Sequence, residues 1–530
     1  MNTISKYMPF IVSAMLMCLV LYFIYPAYQY YVDPDGTAYL TISRRYAEGV
    51  YVQAINGYWS PWSCWLTAVL IKAGLQPIPA SVIINTLGAT GFLYVTQSFL
   101  LKFDVARKLQ WWLNGTMIVF LCYAVFAQSF DDLWECFFLL ATLRIMLAKK
   151  FIESPNLWMA TGIIGALAYF AKAYSFPFFI LNTICCTWLL AQNKKQWLKI
   201  CMVSIAVMLI VSFPWIYALH YKYGIWTTST AGSLNMSWYL VGHPYWADNI
   251  KQLLPPAYPD SPYYWEDPYA VNGATPHFWS SWHLFGLQFV RAGLNLLKLF
   301  ISSLQLSVFF TVTALVALGA LRRPKLWTNY PVAIRIAVLS FLLFPLGYLP
   351  INFESRYLWY MLPLSFVLID FIVKKNVSIL RRKLKLNVTY PILAISITLY
   401  PIHQLINMMH VGYNEFNLPG WLSHKSLKGT FTSNAQPGRQ TQETVRFAYF
   451  SGMSYYAIPY PDKISHKQLL AEIRRYKIDY YFFHTTKSTR YFTLLDENGR
   501  PFPELMQGKQ TEVKVFQIDT MQTQQLLHFK

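Results

Sequence analysis

Eleven apolar stretches, each long enough to cross a bilayer, leave this chain few folds to adopt. A spanning helix needs about 20 mainly apolar residues, and residues 9–30, 79–101, 109–130, 132–148, 157–172, 174–192, 198–220, 300–321, 331–350, 357–373 and 388–409 all qualify. Composition agrees, since 55% of the 530 residues are hydrophobic and only 13% charged, which is more apolar than a soluble globule. The formal charge of +20 does not point to nucleic acid, because lysines and arginines fall in short clusters between the apolar runs. With the N-terminus in the cytoplasm, Lys102/Arg107/Lys108, Lys149/Lys150, Lys194/Lys195/Lys199, Arg322/Arg323/Lys325 and the run from Lys374 to Lys385 all fall inside, as the positive-inside rule requires. The expected architecture is an all-α polytopic membrane domain over 1–409 and a small extracytoplasmic α/β domain over 410–530.

The seven cysteines offer neither zinc spacing nor a disulfide framework, and none lies beyond Cys201. The first apolar run lacks a small-residue cleavage site and reads as a retained anchor. Trp59 to Leu75 is apolar too, but counting it as a span would invert the charge bias, so it is expected to lie on the outer face as an interfacial helix. Three segments then share the outer side: 31–78, a loop over 221–299, and the tail. The loop is rich in Pro, Trp and Tyr, as in Tyr263-Tyr264-Trp265-Glu266-Asp267-Pro268, and offers flat rings for sugars or lipid headgroups. In the tail, Ser465 to Tyr476 has a helical pattern and Ile478 to Phe483 a β-rich one.

Chemistry-bearing residues gather where these runs meet water. Asp35 follows the first run and is also placed to cap a helix starting at Gly36 or Thr37. Asp33, before Pro34, suits an Asx turn. Asp131 and Asp132 open the fourth run, where a hydrated helix start would account for them, and Glu135 lies one turn deeper. Lys172 ends a run on the side without basic clusters, as a snorkelling lysine or a site residue. Arg356 breaks the same bias beside Glu354, as half of an ion pair or as a phosphate clamp. Arg44 and Arg45 point to different faces of one helix, so one of them at most faces a cavity while the other meets lipid headgroups. His243 and the Trp265-Glu266-Asp267 group read as loop packing, and no metal-ligand set is apparent.

The order of these elements resembles a known family. Pro34-Asp35-x-Thr37-x-Tyr39, then Ile42-Ser43-Arg44 and Tyr58-Trp59-Ser60-Pro61, is similar to the first extracytoplasmic loop of GT-C glycosyltransferases of the protein O-mannosyltransferase and aminoarabinose–lipid A transferase type. Asp132 matches the second acidic position of that family, Lys172 its lysine between the fifth and sixth spans, and Glu354-Ser355-Arg356-Tyr357 its late Arg-Tyr element. Gly36 and Ala173 depart from its pattern, and the tail is not covered. The resemblance implies a polyprenyl-phosphate sugar donor, a glycan, lipid or protein acceptor, and work at the bilayer of a bacterial inner membrane. It implies Asp35 as the catalytic carboxylate, Lys172, Arg356 and Arg44 at the donor phosphate, and Asp132, Asp33, Glu354 and Asp131 as acceptor or supporting residues.

Such a transfer has a phosphate as leaving group, so one carboxylate can suffice where glycoside hydrolases need two. No cofactor is required on this reading, and the sequence does not demand a divalent metal. A flippase or transporter of lipid-linked saccharides and a non-catalytic envelope assembly protein are the alternative readings, but transporters favour broken helices and paired repeats at the midplane.

Overall fold

A computed structural model of the chain describes residues 3–127, 131–241, 252–271, 276–375, 386–421, 427–458, 461–486, 489, 491–505 and 513–518. Helices occupy every expected span: Thr3–Tyr28, Pro77–Lys102, Arg107–Phe126, Asp132–Met146, Pro155–Ala171, Ser175–Leu190, Lys194–Tyr223, Val308–Leu321, Val332–Leu343, Met361–Lys375 and Leu386–Met408. Among the described residues, five helices are long and apolar enough to cross a membrane: Ile4–Tyr28, Pro77–Lys102, Arg107–Phe126, Lys194–Tyr223 and Trp282–Leu306.

The last of these corrects an expectation. The loop over 221–299 does not run to 299, because a helix starts at Trp282 with Ser281 capping it through the Leu284 amide at 3.1 Å. Gln288, Arg291, Asn295 and Lys298 recur every three or four positions and form one polar stripe among apolar residues. Gln288 and Asn295 donate to the Pro350 and Leu349 carbonyls, each at 2.7 Å. Ser307, in extended conformation, ends the helix before Val308–Leu321 begins. The Trp59 to Leu75 stretch forms the helix Pro61–Lys72.

The chain divides into two compact units. The first comprises Met1–Gln29, Ser43–Leu240 and His277–Met409. In it the helix Pro155–Ala171 packs closely on Lys194–Tyr223 and Asp132–Met146. A side chain at Gly162 would collide with the Ser204 carbonyl, so glycine is what lets the helices Pro155–Ala171 and Lys194–Tyr223 touch.

The second unit comprises Tyr30–Ile42, Val241–Pro276 and His410–Lys530, more than the tail that the sequence marks off. Its four strands, β1 (Thr430–Ser433), β2 (Ser454–Tyr456), β3 (Tyr480–His484) and β4 (Val513–Gln517), run in the order β2-β1-β3-β4. β1 pairs in parallel with β2 and β3, and β4 runs antiparallel to β3. Parallel neighbours need crossovers, and the helices Arg439–Ser451 and His466–Arg475 provide them. The second crossover begins with a capping box in which Ser465 and Gln468 satisfy each other's backbone amides. Phe431, Val445, Phe447, Ala448, Tyr455 and Phe482 close one core of this unit, and Ile473, Ile478, Phe483 and Phe516 another.

Candidate functional site

Within the first unit, Asp132, Glu135, Lys172, Glu354 and Arg356 form one connected group of ion pairs. Asp132 is the first residue of the helix Asp132–Met146, where a carboxylate is favoured by the exposed amides, and Glu135 lies one turn on. Lys172 follows the last turn of Pro155–Ala171, and its extended backbone starts the tight turn into Ser175–Leu190, closed by the Ser175 amide on the Lys172 carbonyl at 2.9 Å. That turn aims the lysine at both acids: Nζ bonds Asp132 Oδ1 and lies 3.6 Å from Glu135 Oε2. Ser175 Oγ donates to the other Glu135 oxygen at 3.0 Å.

Arg356 stands in the short 3-10 turn Ser355–Leu358. Its Nε donates to Glu354 Oε2 at 2.7 Å, and its Nη1 lies 3.8 Å from Asp132 Oδ2. Asp132 therefore bridges the two cations. Aromatic rings complete the wall: Lys172 Nζ lies 4.5 Å from the Tyr357 ring centre and 5.7 Å from that of Tyr348, and these two rings stack at 4.2 Å. Tyr174 packs on Tyr348 at 4.1 Å and donates its hydroxyl to the Phe344 carbonyl. Three carboxylates thus face two cations, and side-chain exposure of 20% for Lys172 and 25% for Arg356 leaves both within reach of a ligand. A guanidinium with five donors can serve two carboxylates and a phosphate together.

Asp131 turns elsewhere. It accepts the Ser63 amide at 3.1 Å and the Ser63 hydroxyl at 2.5 Å, and so caps the helix Pro61–Lys72 from a neighbouring element. Of the two neighbouring arginines, Arg44 is the open one. It is 39% exposed and paired with Glu48 at 3.9 Å, while Arg45 is the buried one, donating to Gln53 Oε1 at 2.5 Å. The two differ by one position and so by about 100° around the helix, and the buried face of Thr37, Leu40 and Thr41 selects Arg45.

Asp33 and Asp35 lie in the second unit. Asp33, not Asp35, caps the helix Pro34–Glu48: its Oδ1 accepts the Gly36 amide at 2.6 Å and its carbonyl the Thr37 amide at 2.8 Å. Proline at the first helical position fits this start. Asp35 Oδ1 instead accepts the indole N–H of Trp265 at 3.1 Å. The segment carrying Trp265 is fixed in turn, since the Tyr455 amide donates to the Pro262 carbonyl at 3.0 Å, the Ser454 hydroxyl to the Pro259 carbonyl at 2.8 Å, and Tyr263 stacks on Tyr455 at 5.6 Å. Burial, with Tyr264 and Tyr455 nearby, pushes the Tyr263 phenol well above its usual range. A crevice lined by Pro34, Thr37, Ala38, Thr41, Pro262, Tyr263, Trp265 and Glu266 runs along this contact. Asp267 is structural, accepting the Tyr258 hydroxyl at 2.8 Å and the Ala270 amide at 3.2 Å. His243 lies outside the described residues.

Sequence reasoning left out the Tyr348 and Tyr174 rings, the Ser175 anchor and the Trp265 contact with Asp35. Aromatic residues are common throughout this chain, and nothing local marks the few that meet a charge. Among the described residues no three His, Cys, Asp or Glu side chains converge as metal ligands.

No family model matches the chain, and no curated protein matches its sequence. Solved structures do. ArnT from Cupriavidus metallidurans bound to undecaprenyl phosphate superposes with a TM-score of 0.52 at 10% identity, over 97% of this chain and 98% of that one. Its apo form gives 0.51 at 11% identity, over 96% and 98%. The oligosaccharyltransferase of Archaeoglobus fulgidus in complex with Zn and sulfate gives 0.52 at 11% identity, over 90% of this chain and 68% of that one. Identities this low establish the fold alone, and that fold is shared with ArnT and the archaeal oligosaccharyltransferase.

Proposed function

We propose that the chain is a membrane glycosyltransferase that moves a sugar from a polyprenyl-phosphate donor to an acceptor hydroxyl or amine. The observation that carries this reading is the Asp132–Lys172–Arg356 group: two partly accessible cations held rigid at helix ends by carboxylates and rings. Fixed cations stabilise a departing phosphate without reorganising. The ArnT structure with undecaprenyl phosphate supports the choice of a lipid-linked donor.

In the reaction, the acceptor oxygen or nitrogen bonds to the anomeric carbon as the bond from that carbon to the phosphate oxygen breaks. The electron pair leaves on the polyprenyl phosphate, whose new charge Arg356 and Lys172 meet. The acceptor proton passes to Asp35. One displacement of this kind inverts the anomeric carbon. Asp132 and Glu354 aim the cations. Arg44, on an exposed helix face, meets the lipid phosphate only from that side. The site faces the extracytoplasmic side of a bacterial inner membrane, with the N-terminus cytoplasmic and the second unit periplasmic. A transporter is disfavoured because the charged residues sit at helix ends and in turns rather than along broken helices.

The test is a reconstituted assay with radiolabelled polyprenyl-phosphate sugars. Intact protein should release free polyprenyl phosphate, and Asp35→Asn should lose about 10²–10⁴-fold in rate, the usual share of a general base. Intact protein that consumes none of the donors, or a variant as active as the parent, would defeat the reading.

A further inference from the structure

We infer that Arg446 is a positioning residue for the Asp35 turn, so that the C-terminal α/β fold acts as the mount of the reacting carboxylate. This rests on the reading of Asp35 given above. All of the contacts involved lie inside the second unit.

Arg446 is carried by the helix Arg439–Ser451, whose Val445, Phe447 and Ala448 are buried in the core against the sheet. Its own side chain is buried too, but its partners lie outside that core. Nε donates to Glu415 Oε1 at 2.8 Å, and Nη1 donates to the Val32 carbonyl at 3.4 Å. A buried guanidinium needs such partners, and a buried pair broken on one side is strongly unfavourable. Val32 immediately precedes Asp33, the residue that caps the helix carrying Asp35. One buried charge thus connects the sheet's crossover helix to the backbone three residues from the carboxylate.

The same turn is gripped beside that bond. Tyr30 stacks on Phe416 at 4.2 Å, and Phe450, one turn beyond Arg446, meets Tyr30 and Phe416 edge-on at 6.4 and 5.4 Å. Gly412, at φ +89°, lies so close that a Cβ there would collide with the Tyr30 carbonyl. Residues 30–32 are therefore held by two helices of their own unit, Tyr413–Trp421 and Arg439–Ser451. A turn held this way keeps its carboxylate within the small angular range that proton transfer demands, and slight misplacement is costly in rate.

The experiment compares full-length wild type, Arg446→Met, Arg446→Lys and Glu415→Gln by hydrogen exchange and by donor turnover. Arg446→Met should raise amide exchange over residues 34–42 at least tenfold while β1 and β3 keep their protection, and it should lower kcat at least tenfold with KM little changed. Arg446→Lys should recover part of both. Should Arg446→Met fail to fold, Glu415→Gln carries the comparison, with a smaller rise over 34–42. Unchanged exchange over 34–42, or an equal loosening of the whole unit, would overturn the proposal. If the exchange result holds while the intact protein consumes no donor, the transferase reading falls and the hold on the turn stands.

Discussion

If Asp33 caps the Pro34–Glu48 helix and Asp35 is the reacting carboxylate, alanine at the two positions should fail in different ways. Asp33→Ala should cost about 0.5–2 kcal/mol of local stability, the usual worth of an N-cap, and be read as faster amide exchange at Gly36 and Thr37. Asp35→Ala should spare that protection and abolish turnover. The two cations should separate as well. Lys172 lies between Asp132 and Glu135, so Lys172→Met leaves two buried carboxylates without it and should destabilise the protein by about 3–5 kcal/mol in thermal unfolding. Arg356, more exposed and held by the partly open Glu354, should tolerate Arg356→Lys in stability yet lose donor affinity, because an ammonium cannot present the planar fork.

At the scale of elements, much was legible in the sequence. Hydropathy marks four of the five helices that are long and apolar enough to span among the described residues, because lipid demands long apolar helices with satisfied backbones. The amphipathic pattern at Ser465 and the β-rich run after Ile478 likewise mark local structure that needs no partner to be recognised. Trp282–Leu306 escaped because its polar stripe interrupts the apolar run, and its partners, the Leu349 to Ile351 carbonyls, are remote in sequence. Which of Arg44 and Arg45 is buried was illegible for a related reason: it depends on what packs there. Gly412 gives an element-scale test. Gly412→Ala adds a methyl against the Tyr30 carbonyl and strains a positive φ, so it should lower the unfolding midpoint of the second unit by an amount worth about 1–3 kcal/mol.

For the molecule in its entirety, stability should depend on pH through His484 at the end of β3. Burial holds this imidazole below its ordinary value, with Glu443 opposing in part, and its Nε2 shares a hydrogen bond with Thr444 at 2.9 Å. Above the unperturbed value of about 6.5 the ring is neutral in both folded and unfolded chains and adds no pH dependence. Below it the unfolded chain binds the proton more readily, so stability should fall as pH drops from about 6.5 toward the lower folded value. Amide exchange in β3 between about pH 7.5 and 5.5, a window that brackets the unperturbed value, is the check, corrected for intrinsic rates, and His484→Gln should flatten the slope.

Binding of a polyprenyl phosphate through Arg356 and Lys172 is what the transferase reading cannot do without. Cryo-electron microscopy of the protein incubated with polyprenyl phosphate in nanodiscs would see it. Phosphate density should touch the Arg356 guanidinium and the Lys172 ammonium, and be lost in Arg356→Met. Density for the headgroup at the Lys149/Lys150 face, with the Arg356 group untouched, would contradict it.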